Sequence, residues 1–116
     1  MKISFDFDGT LSTEEMQTLC TKCIKYGIEV FVTTSRSKTI NKKLVNNDDL
    51  YVVTDMLGIP RTNIIFTAFK DKYSFTKKFD LHFDDNFEEI FLINQHQSKC
   101  LGFLYEEKHN NEIIDY

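Results

Sequence analysis

Apolar residues along this chain follow two rhythms. Short dense runs, Ile3-Ser4-Phe5, Val30-Phe31-Val32, Ile64-Ile65-Phe66, Leu81-His82-Phe83 and residues 100–105, have the length of buried strands. Between them the spacing turns helical. Met16, Leu19, Cys20, Cys23 and Ile24 fall at i, i+3, i+4, i+7 and i+8, a single buried stripe. Ser12 with Glu15 predicts a capping box at its start, and Gly27 a left-handed stop at its end. Ile40, Leu44 and Val45 predict a polar, partly exposed helix that residues 46–49 break. Leu50, Val53 and Leu57 predict a second short helix, closed by Gly58 and Pro60. Asp71 is placed to cap a helix over 71–79. Phe87, Ile90, Phe91 and Asn94 mark the last helix, with Glu88 and Glu89 near its positive end.

Strands alternating with helices at this spacing predict a parallel sheet covered on both faces. The expected fold is α/β: a single three-layer α/β/α Rossmann-like domain, with a mostly parallel sheet of about five strands and no cap domain. Its core spans 1–105, and a polar tail covers 106–116, where Ile113 and Ile114 are the residues suited to docking. No repeat or linker divides the chain.

Composition narrows the functional classes. The chain has 116 residues, eleven Phe, five Tyr and a net charge of −4, a balance that argues against a general nucleic-acid binder. No apolar run approaches the roughly 20 residues that span a bilayer. Asp6 and Asp8 interrupt the one apolar stretch near the start, which excludes a signal peptide there. Three cysteines, an odd number, point to free thiols and a reducing compartment. The expected location is cytoplasmic.

The candidate chemistry lies where the predicted strands end. Asp6 and Asp8 follow the first, Thr33 and Thr34 end the second, Asp84 and Asp85 end the fourth, and Lys72 follows the third. Ligands of open α/β sheets bind at this carboxyl edge. Asp6 and Asp8, roughly 6–7 Å apart along an extended chain, point to the same side. Acids gathered at one edge repel unless a cation sits among them, and an oxygen-only set without His or Cys favours Mg2+. Gly9 and Thr10 offer backbone amides as an anion nest. Thr34 brings a hydroxyl and Lys72 a charge suited to phosphoryl oxygens, so the set reads as phosphoryl transfer.

The motifs "DFDGTL", "VFVTTSR", "FKDK" and "LHFDDN" run in that order, and together the chain resembles the haloacid dehalogenase-like phosphatase superfamily. The resemblance covers residues 2–94 and implies specific roles. Asp6 is then the nucleophile that forms an aspartyl-phosphate, and Asp8 the acid and base that serves the leaving oxygen and water. Thr34 binds the phosphoryl group. Lys72, with Lys70 as its competitor, neutralises charge. Asp84 binds magnesium with Asp6 and the Asp8 carbonyl, assisted by Asp85. Ser35 and Arg36 become substrate-phosphate contacts. A capless site of this kind is open, which suits a nucleotide or nucleic-acid end, or a small phosphorylated metabolite, or else borrows a lid from another subunit.

Other readings have less behind them. Cys20 and Cys23 lie on the buried stripe and have no second pair to complete a zinc site, so core packing is expected. His82 adjoins the acids but interrupts an apolar strand, which fits a supporting role. No GxxxxGK[ST] or GxGxxG sequence occurs, and no cysteine is followed by the arginine of a cysteine-phosphatase loop. The alternatives are a non-catalytic magnesium-binding module on the same fold, and a phospho-acceptor domain like response-regulator receivers. In the latter the paired acids come early rather than late.

Overall fold

Strand alternation sorts the side chains of each strand onto two faces, and that sorting decides where the helices go. The structure is a computed structural model that describes residues 1–96 and 98–107. β1 (Lys2–Phe5) leads through a wide turn into α1 (Glu14–Lys25) and β2 (Glu29–Thr34). Two very short strands, β3 (Thr39–Ile40) and β4 (Lys43–Leu44), precede α2 (Asp48–Leu57) and β5 (Ile64–Phe66). β6 (Leu81–Asp84), α3 (Phe87–Gln95) and β7 (Leu101–Leu104) follow.

β1, β2, β5, β6 and β7 form one sheet in the order β5-β2-β1-β6-β7, every pair parallel. Ile3, Phe5, Val30 and Val32 point to one face and pack against Met16, Cys20 and Cys23 of α1 and Leu50 of α2. Phe31 points to the other, where Phe79, Cys100 and Ile93 of α3 meet it. These are the three layers expected, and the two cysteines of α1 lie in the core with free thiols. No described helix is long and apolar enough to cross a membrane.

The chain lays β1, β2 and β5 outward in one direction, then returns across the sheet to place β6 on the other side of β1. The strand order therefore reverses between β1 and β6. At such a switch point the loops above two neighbouring strands diverge and leave a crevice.

Four local expectations are corrected. Thr13, not Ser12, caps α1, accepting the Met16 amide at 3.4 Å. Ser12 is unsuited because its hydroxyl accepts the Gly9 amide and closes the turn after β1. In place of the helix expected on Ile40, Leu44 and Val45, residues 39–44 form an antiparallel hairpin whose Asn41 and Lys42 have φ of 51° and 65°. Two left-handed residues match the twist of a tight hairpin and cannot continue a helix. α2 begins at Asp48, inside the segment read as a breaker, with Asn47 at its N-cap. The helix expected over 71–79 is a single turn, Lys72–Ser74. Lys72 is held there by its amide, which donates to Glu89, and by its ammonium, so the segment cannot rotate into a longer helix. Gly27 and Gly58 end α1 and α2 in the left-handed region as expected. Of the tail from 106, residues 108–116 lie outside the described residues, Ile113 and Ile114 among them.

Leu50 is completely buried where α2 meets the sheet. Leu50→Ala is expected to lower unfolding free energy by about 2–5 kcal/mol, the usual cost of a truncated core leucine. Urea denaturation followed by circular dichroism checks it, and a change under 1 kcal/mol would mean that α2 is loosely docked.

Candidate functional site

Register places the acids before any side chain is considered. Ser4 pairs with His82 and Phe5 with Phe83, and the Asp6 amide donates to the Phe83 carbonyl at 2.8 Å. Asp6 and Asp84 thus stand side by side at the carboxyl edge, on either side of the switch point. Lys72 lies between them: Nζ donates to Asp6 Oδ1 at 2.6 Å and to Asp84 Oδ2 at 2.7 Å, with all three side chains buried. Asp85 joins from above, so that Asp6, Asp84 and Asp85 each offer an oxygen within 4.8 Å of the others.

Three carboxylates face one ammonium there. Burial pushes Asp6 up to about 8, against the pull of Lys72 and with help from the Asp84 charge. Burial also opposes the Lys72 ammonium, but Asp6 and Asp84 outweigh it and hold it above its ordinary value. Asp84 is held below the usual range: burial works against it, but the His82 hydrogen bond and the Lys72 charge prevail. A hard divalent cation fits the donor set, since only carboxylate oxygens converge and the set is short of positive charge.

The turn after β1 is shaped around this point. Leu11 N donates to Asp6 O and Ser12 N to Phe7 O, wrapping residues 7–11 into a wide loop. Gly9 has φ of 76°, and a Cβ there would overlap the Asp85 carboxylate. Only glycine lets Asp85 close over the loop. Thr10 Oγ1 donates to Asp6 Oδ2 at 3.3 Å. The Gly9 amide, expected in an anion nest, is taken by Ser12.

Beneath the acids runs a buried polar chain. Burial keeps His82 neutral by lowering its pKa. Asp84 accepts at Oδ2, so His82 Nε2 carries the proton and Nδ1 must accept from the Ser4 hydroxyl. Ser4 in turn takes a hydrogen bond from Thr33 Oγ1 at 2.7 Å. All four groups are fully or almost fully buried, and every link has one direction, so the Asp84 carboxylate is fixed without a charged histidine. Thr33 was expected only as a strand-end polar residue, and Ser4 was not singled out in the sequence. The signal was available: Ser4 stands two residues before Asp6 and His82 two before Asp84, and strand alternation puts i and i+2 on one face. Glu89, which holds the Lys72 backbone, carried no such signal.

The other expected residues are placed differently. Lys72 rather than Lys70 reaches the acids; Lys70 lies exposed at the rim of the cavity of about 390 Å³ above them. Thr34 is buried, and its hydroxyl accepts the Arg36 amide at 3.2 Å, while Ser35 lines the cavity. The Asp8 carboxylate also lines the cavity but stands outside the three-acid cluster, gripped by Arg36 Nε and Nη2 at 2.9 and 2.7 Å. Arg36 simultaneously holds Asp49 at the start of α2 through Nη1 and Nη2, at 2.7 and 2.8 Å. Its guanidinium is thereby raised further above its ordinary value, and its hydrogen bonds hold Asp49 down at about 2.

A comparison with protein-family models finds no match, and a comparison with curated proteins finds no significant relative.

The Arg36–Asp49 pair carries a pH signature. A carboxyl lowered from about 3.8 to about 2 contributes stability that is present above its unfolded value and lost as pH falls toward 2. Asp49 is largely exposed, so solvent screening limits this to under about 1 kcal/mol. Asp49→Asn is expected to flatten the acid limb of stability between about pH 5 and pH 2.5 by that amount, measured by denaturant unfolding. Superimposable limbs would show that the pair adds no net stability.

Proposed function

We propose that this chain is a magnesium-dependent phosphomonoesterase of the haloacid dehalogenase-like type, working through an aspartyl-phosphate on Asp6. The observation that carries the reading is the Lys72 ammonium bound at once to Asp6 and Asp84, at the switch point of the sheet, with Asp85 as a third acid beside them.

In this reading Asp6, Asp84 and Asp85 hold the magnesium ion, which when bound supplies the positive charge that keeps Asp6 ionised and balances the phosphoryl oxygens. Lys72 fixes the position of Asp6 and shields it from Asp84. An Asp6 oxygen attacks phosphorus, the bond from phosphorus to the leaving oxygen breaks, and Asp8 gives that oxygen a proton. Water then attacks the phosphoryl group, passes a proton to Asp8, and releases phosphate with Asp6 restored. Asp8 must exchange Arg36 for the leaving oxygen to do this, so substrate entry and release of the Arg36–Asp8 pair belong to one event. Ser35 and the Arg36 guanidinium are then positioned to meet the phosphate. The three buried thiols support work in a reducing, cytoplasmic compartment.

One observation favours the rival, a magnesium-binding module without turnover: Asp8 is already satisfied, in a bidentate pair with Arg36. Activity separates the two. The purified protein is expected to release phosphate from phosphomonoesters with magnesium and to stop when a chelator is added. Asp6→Asn should lower turnover at least about a thousandfold, as expected for a nucleophile, while its circular dichroism spectrum and cooperative melt persist. Near-normal turnover of a folded Asp6→Asn protein overturns the covalent mechanism. Magnesium binding by wild type without any phosphate release supports the rival.

A further inference from the structure

From Phe69 and the slot beside it, we infer that this chain has a nucleobase-binding subsite next to the acids, which makes a nucleoside phosphate the substrate class. The inference rests on the phosphatase reading for the position of the phosphate, but its own support is geometric.

Phe69 stands in a conformation that costs free energy. Ala68 and Phe69 have φ of 52° and 65°, two consecutive side-chain-bearing residues in the left-handed region. Bulky residues are rare there, and such strain persists only where surrounding contacts enforce it. The enforcement is visible: Thr67, Ala68 and Phe69 donate their amides to the carbonyls of Thr34, Arg36 and Ser35 at 2.9, 3.1 and 2.8 Å, and Lys70 N closes the turn on Thr67 O. The loop after β2 thus holds the turn after β5 in place.

Core packing does not account for the ring so positioned. Phe69 is 81% exposed. It lines the cavity over Asp6 and Asp84, and it also lines a second slot of about 410 Å³. That slot has apolar walls, Phe69, Ile40 and Val45, and a polar rim that includes Arg36, Asn46 and Asp49. Ile40 comes from the hairpin of β3 and β4, and Val45 follows it. A phosphoryl group at Asp6 therefore directs its leaving group across an exposed aromatic face into a slot with apolar sides and hydrogen-bonding edges. A nucleobase has that combination: a π-face to stack and a polar edge to pair. Lys70, on the same turn, lines the acid cavity and adds a positive charge suited to further phosphates.

The base can belong to a mononucleotide or to the end of an oligonucleotide, and the substrate arms separate these. Hydrolysis is compared for glycerol phosphate, which has no ring, for 3′- and 5′-mononucleotides, for 3′- and 5′-phosphorylated oligonucleotides, and for a phosphotyrosine peptide. Wild type is expected to favour the nucleoside phosphates in kcat/KM. Phe69→Ala should erase roughly five- to a hundredfold of that preference, the range of one base–aromatic stack, read as the ratio of kcat/KM for the nucleoside phosphates to that for glycerol phosphate. Phe69→Trp should restore it. Phe69→Gly relieves the strain at position 69 and should melt no lower than wild type, while losing the preference as Phe69→Ala does. Efficient hydrolysis of glycerol phosphate at the nucleotide rate, or a preference for the phosphotyrosine peptide, overturns the subsite and leaves the phosphatase reading standing. With no turnover of any arm, equilibrium dialysis with a mononucleotide decides: binding that Phe69→Ala weakens supports the subsite without the phosphatase reading, and binding indifferent to Phe69 overturns it.

Discussion

A single ammonium holds the carboxyl edge of this sheet together. Lys72 Nζ touches acids from two strands that are 78 residues apart in sequence at their last carboxylates, Asp6 and Asp84, and it does so out of water. Burying such a group is unfavourable unless every partner is in place, because removing one leaves an uncompensated charge in a low dielectric. The neighbouring structure meets that demand piece by piece. Glu89 takes the Lys72 amide, Asn86 N donates to Asp84 Oδ1, and the Thr33–Ser4–His82 chain fixes Asp84 Oδ2 from below. A hydrophobic isostere set would pack there at less cost. Under the proposed function, a network that is costly, satisfied on the protein side and still short of positive charge would receive the magnesium ion.

Topology explains why that arrangement is reachable by so short a chain. Reversal of strand order between β1 and β6 leaves the loops above them free to diverge, so Asp6 and Asp84 meet without a helix crowding them. Parallel pairing in the observed register then makes the two strand tips level, which a slip of one residue would undo by turning Asp84 to the opposite face. The placement of the acids is thus a property of backbone pairing, and the side chains need only short rotamers to converge.

Much of this was legible because it depends on local pattern. Strands β1, β2, β5 and β6 were visible as apolar runs, α1 and α3 as stripes, and Asp6, Asp84, Asp85 and Lys72 as polar residues placed just beyond strand ends. What was hidden depends on contacts that no periodicity encodes. Ile40 and Leu44 are spaced as on a helix, yet two left-handed residues between them, Asn41 and Lys42, fold the segment back as a hairpin. Asn41 suits the left-handed region, but Lys42 stands where a glycine usually marks such a turn, so the signal was weak. Ser12 and Thr13 are equally good caps by residue type, and only the prior claim of the Gly9 amide on Ser12 decides between them. The pairing of Arg36 with Asp8 and Asp49 joins two loops to the first turn of α2 and could not be read from any one of them.

Those loops converge on residues 34–36. Thr34 caps the Arg36 amide, the carbonyls of Thr34, Ser35 and Arg36 hold the strained turn that carries Phe69, and the Arg36 side chain ties Asp8 to the first turn of α2. The guanidinium also lies over the Phe7 ring, 5.0 Å from its centroid, which fixes its plane against the loop after β1. In the proposed reaction, a phosphate arriving above Asp6 would compete with Asp8 for the same nitrogens. Nη2 serves both acids, but Nη1 bonds Asp49 and not Asp8, so the Asp49 contact can hold the guanidinium when Asp8 leaves. In the proposed phosphatase the arginine would then act as a fixed pivot, tied to α2 through Asp49 while a substrate phosphate takes the place of Asp8. Such an exchange would cost less than moving a whole loop, because one charge pair would replace another and neither the strained turn nor the helix would have to shift.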